Sequence, residues 1–83
     1  MPLRRAVVTY LKLQSSDKVR DSIHVFVRLL EVYDLRIVEQ IEDEAKGIIE
    51  LTITHCSFPV TRFVSATAQD IFGSAVLKFW FHD

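Results

Sequence analysis

Cysteine is almost absent from this chain. Cys56 stands alone, so no internal disulfide can staple the fold. Glycine and proline are as scarce, at two residues each. With only Gly47 and Gly73 present there is no glycine-rich phosphate loop, and a Pro/Gly-rich disordered tract is excluded with it. Long apolar runs are missing too. The longest stretch free of Asp, Glu, Lys and Arg is Leu51 to Thr61, eleven residues that contain His55 and Pro59, whereas a membrane-spanning helix needs about twenty predominantly apolar residues. Neither sign of charge dominates: ten basic and eleven acidic residues leave a net charge of −1. A general nucleic-acid binder carries a net basic patch, so this balance argues against one.

The start of the chain lacks the marks of a secretory signal. Arg4 and Arg5 precede an apolar run, but the run from Ala6 to Leu11 holds Thr9 and Tyr10 and meets Lys12 with no small-residue cleavage site. No targeting segment is read, and the cytoplasm is the expected compartment.

What the chain has is apolar surface. Hydrophobic residues fill 49% of its 83 positions. At this size about 63% of the unfolded surface would be buried on folding, enough for one small core and no more. A single domain over residues 1–83 is expected, with part of the apolar surplus turned toward a partner.

Periodicity sorts the chain into six segments. Arg5 to Leu13 reads as a strand with apolar groups on both faces, as a central strand requires. Ser15-Ser16-Asp17 supplies a helix start. Asp17 to Tyr33 then reads as a helix with Val19, Ile23, Phe26, Val27, Leu30 and Tyr33 on one stripe. Arg20, Asp21, His24, Arg28 and Glu31 lie opposite, and Val25, Leu29 and Val32 widen the apolar arc sideways. Leu35 to Glu42 reads as a second strand, with Leu35, Ile37 and Ile41 sharing a face with Glu39. A polar turn through Glu42-Asp43-Glu44 to Gly47 leads into a third strand, Gly47 to His55, paired antiparallel with the second. Ser57-Phe58-Pro59 breaks that strand. Thr61 to Phe72 fits a helix ended by Gly73, although Val60, Thr61 and Val64 leave a strand open for its first half. Ala75 to Phe81 fits a last strand.

The order strand, helix, strand, strand, helix, strand is the split βαβ pattern of an α+β, ferredoxin-like sandwich. Right-handed crossovers put both helices on one face of a four-stranded antiparallel sheet, with the first and third strands central. If the helices cover Leu11, Leu51 and Phe79, the other face shows Val8, Tyr10, Lys12, Glu50, Thr52, Lys78, Trp80 and His82.

Two surfaces therefore stand out as interfaces: Tyr10 and Trp80 on the sheet, and Val25, Leu29 and Val32 on the first helix. The expected role is a small protein-interaction or regulatory module that self-associates as a homo-oligomer. Single-stranded nucleic acid on the same sheet face is an alternative, since aromatic and basic groups on a sheet stack bases; the third strand, Gly47 to Leu51, offers no aromatic for that purpose. A small ligand-binding or enzymatic domain is the other alternative. It has little support, because His55 and Cys56 are strand neighbours whose side chains point apart. His24, His55 and His82 show no metal-ligand spacing. The run Glu39, Glu42, Asp43 and Glu44 reads as a solvated acidic patch. No catalytic residue, cofactor or metal is assigned.

Overall fold

The computed structural model describes residues 7–55 and 58–82. Its elements run β1 (Val7–Gln14), α1 (Asp17–Val32), β2 (Arg36–Asp43), β3 (Ile48–His55), α2 (Phe58–Phe72), a 3-10 turn (Gly73–Ala75) and β4 (Val76–His82). The strands form one antiparallel sheet in the order β2-β3-β1-β4, so the first and third are central. This is the ferredoxin-like α+β arrangement expected from the segment order.

Local chemistry sets the boundaries. Ser16 caps α1 by accepting a hydrogen bond from the Val19 N–H at 3.1 Å. Gly47 closes the β2–β3 turn with φ of 65°, a region glycine enters without steric cost. The stretch 61–72 is helical throughout. The helix also starts earlier than expected, at Phe58, with Pro59 in its first turn, where the missing N–H has no partner to lose. Gly73 ends it at φ of 55°.

The core lies between the helices and one sheet face. Leu11 and Leu13 of β1 and Ile49, Leu51 and Ile53 of β3 are buried at alternate positions. Val19, Ile23, Phe26 and Leu30 of α1 meet them, with Val64, Ala68 and Phe72 of α2. Phe26 and Phe72 contact edge to face at 5.2 Å.

β2 departs from simple alternation. Ile37 pairs with Ile53 and Glu39 with Thr52, so Val38 is an extra residue opposite no partner. This bulge reverses the faces beyond it. Leu35 is buried and Ile37 stays on the helix side, but Glu39 and Ile41 move to the uncovered side, beside Thr52 and Glu50. The expected common face for Leu35, Ile37, Glu39 and Ile41 is thus split. β2 begins at Arg36 rather than Leu35 and runs one residue past the expected end, to Asp43.

Candidate interaction surface

The register converts the uncovered sheet face into a grid. Arg36, Thr54 and Val8 make one row, and His82 shares the register position of Val8. Glu39, Thr52, Tyr10 and Trp80 make the next, followed by Ile41, Glu50, Lys12 and Lys78. Asp43, Ile48 and Gln14 close it. Every residue expected on this face is there by register. The β2 contributions beyond Val38 (Glu39, Ile41 and Asp43) were hidden from the sequence by the bulge.

Tyr10 and Trp80 sit side by side on β1 and β4. Their rings stack at 5.2 Å between centroids, inclined by 16°. The Lys78 ammonium lies over the Trp80 ring, 4.8 Å from its centroid, an attraction between a cation and the negative ring face. Lys12 lies directly opposite Lys78 in the register and meets Glu50 on its other side at 3.7 Å. Among the described residues no carboxylate pairs with Lys78. A hollow of about 130 Å³ opens on the β2 half of the face, lined by Lys12, Ile41, Asp43, Lys46, Ile48 and Glu50.

Val25, Leu29 and Val32 lie on the opposite layer of the molecule. They continue the four- and three-residue spacing of Lys18 and Ser22 along one ridge of α1. All three are exposed, Val32 at 77%. The two expected interfaces are therefore separate surfaces that the fold does not bring together.

Glu42 is not part of a solvated patch. On the helix side of β2 it accepts three bonds from Arg20, at 3.1 and 3.2 Å from Nε, shared between its two oxygens, and at 2.6 Å from Nη2. Arg20 Nη1 also donates to Asp17 at 2.8 Å, and Ser15 Oγ donates to Glu42 at 3.1 Å. The hydrogen bonds from Arg20, then Ser15, hold the Glu42 carboxyl below its ordinary value of 4.5 against the opposing effect of burial. Glu42 in turn raises the Arg20 guanidinium.

A larger cleft of about 740 Å³ lies between the end of α1 and β2, where Val27, Leu30 and Ile37 meet Glu31, Asp34 and Glu39. Periodicity offered no sign of it. Cys56 lies outside the described residues, as does the His55 side chain, so the pairing of those two is not described. Among the described residues no three His, Cys, Asp or Glu converge on a metal position, and no helix is long and apolar enough to cross a membrane.

No family model matches the chain, and no curated protein matches it. Among solved structures it is similar to a de novo designed protein, Ferredog-Diesel. The TM-score is 0.61 at 16% identity, covering 100% of this chain and 89% of that one. At that identity the likeness establishes the fold alone.

Proposed function

We propose that this chain is a protein-interaction module that self-associates through the uncovered face of its sheet. The observation that carries the reading is the extent of that face. Strands of about eight residues, at about 3.3 Å per residue and a spacing of about 4.8 Å, give roughly 500 Å² of flat surface. Two copies face to face bury about 1,000 Å² or more, the threshold for a specific contact. The α1 ridge is smaller, since Val25 to Val32 spans about 10 Å of helix. The sheet edges also serve poorly. Both edge strands carry a bulge, at Val38 in β2 and at Leu77 in β4, and bulges hinder edge-to-edge pairing.

Tyr10 and Trp80 supply the anchor, being the residue types on which such contacts turn. The same geometry suits single-stranded nucleic acid less well. A base stacks on a free ring, whereas Trp80 already has Tyr10 beside it and Lys78 over it.

Sedimentation across a concentration series tests the reading. Trp80→Ala, with its fold checked by circular dichroism, is expected to raise the dimer Kd at least about tenfold, and Val32→Asp is expected to leave it unchanged. A monomer at every concentration overturns the proposal.

A further inference from the structure

Resting on that self-association, we infer that a second copy seats the acidic half of its sheet on the lysine half of this one. The uncovered face is polarised across its strands. β2 and β3 bring Glu39, Asp43 and Glu50 against the single cation Arg36, so that half is two charges negative. β1 and β4 bring Lys12 and Lys78 with no carboxylate, so the other half is two charges positive. Glu44 and Lys46 in the adjoining turn cancel one another.

Two symmetric ways of stacking identical faces keep the strands aligned. A two-fold axis across the strands lays β4 on β4 and β2 on β2, like charge on like. An axis along the strands lays β4 on β2 and β1 on β3. Opposite potentials meet only in the second arrangement, and juxtaposed like charges suppress the first. The second also preserves the rows of the grid, so Lys78 comes over Ile41 of the second copy and Lys12 over Glu50. Ile41 borders the 130 Å³ hollow, with Ile48 beside it and Asp43, Glu50, Lys12 and Lys46 at its walls. A lysine stem fits against the two isoleucines with its ammonium at the carboxylates, as long basic side chains do on mixed surfaces.

Charge reversal separates this orientation from self-association as such. Lys78→Glu and Glu39→Lys each place like charges across the contact twice, once at each symmetric copy. The Glu39 side chain forms no hydrogen bond or ion pair among the described residues, so its variant tests the contact without disturbing the fold. Each single variant is expected to raise the dimer Kd about tenfold. The double variant Lys78→Glu with Glu39→Lys restores it to within about threefold. A dimer unaffected by both single variants, or a mixed dimer of Lys78→Glu and wild-type copies that is tighter than the wild-type dimer, overturns the orientation while self-association stands. A monomer at every concentration overturns both.

Discussion

Asp34 ends α1 in a backbone conformation that most residues avoid, with φ of 60°. The chain turns there because two bonds close the helix. Asp34 N–H donates to the Glu31 carbonyl at 3.0 Å and Leu35 N–H to the Leu30 carbonyl at 2.9 Å. That pairing satisfies the orphan carbonyls of the last turn, and Leu30 and Leu35 are both buried beside it. Aspartate tolerates the left-handed region better than most side chains, but glycine enters it freely. An acidic group also sits unfavourably at the negative end of a helix. Asp34→Gly is therefore expected to stabilise the fold by about 1 kcal/mol, and Asp34→Val to cost about 1–2 kcal/mol. Urea unfolding reads both as shifts of midpoint at constant slope, and a loss of stability in the glycine variant would contradict the account.

The junction between α1 and β2 is held by Arg20, which ties Asp17 and Ser15 at the start of the helix to Glu42 near the end of the strand. Glu42 has a lower pKa folded than unfolded, so its contribution is full above the unfolded value near 4.5 and disappears as pH falls through the lower folded one. Glu42→Gln is expected to lower the melting temperature at pH 7 and to flatten its decline below pH 4.5. Identical acid limbs in variant and parent would rule out the linkage. This junction also marks where elements were legible and where they were not. Helix α1 was readable because Val19, Ile23, Phe26 and Leu30 repeat at its own period. The bulge in β2 was not, because Val38 is one more apolar residue in an alternating run and its insertion is decided by pairing with β3. One unread residue moved Ile41 to the uncovered face and aimed Glu42 at Arg20. The early start of α2 was misread for a different reason. Pro59 disrupts a strand and a helix interior alike, yet it is accepted in a helix's first turn.

At the scale of the whole molecule, the uncovered face was legible on β1, β3 and β4, where strict alternation places Tyr10, Lys12, Glu50 and Trp80. Its polarity was not, since that depends on the faces of Glu39 and Asp43, which the bulge at Val38 sets. The polarity makes the proposed contact sensitive to ions in a way an apolar contact is not. The face carries no net charge, so salt gains nothing by relieving repulsion between copies and can only screen the attraction of their opposite halves. The screening length falls from about 10 Å at 0.1 M to about 3 Å at 1 M. The dimer Kd is therefore expected to rise several-fold over that range. The melting temperature at low salt should also rise with protein concentration, because dimerisation stabilises the folded chain by mass action. High salt strengthens a contact made mainly by apolar burial, if it acts at all. A Kd that falls between 0.1 and 1 M salt would show that Tyr10 and Trp80 act alone and that the lysines and carboxylates around them do not orient the pair.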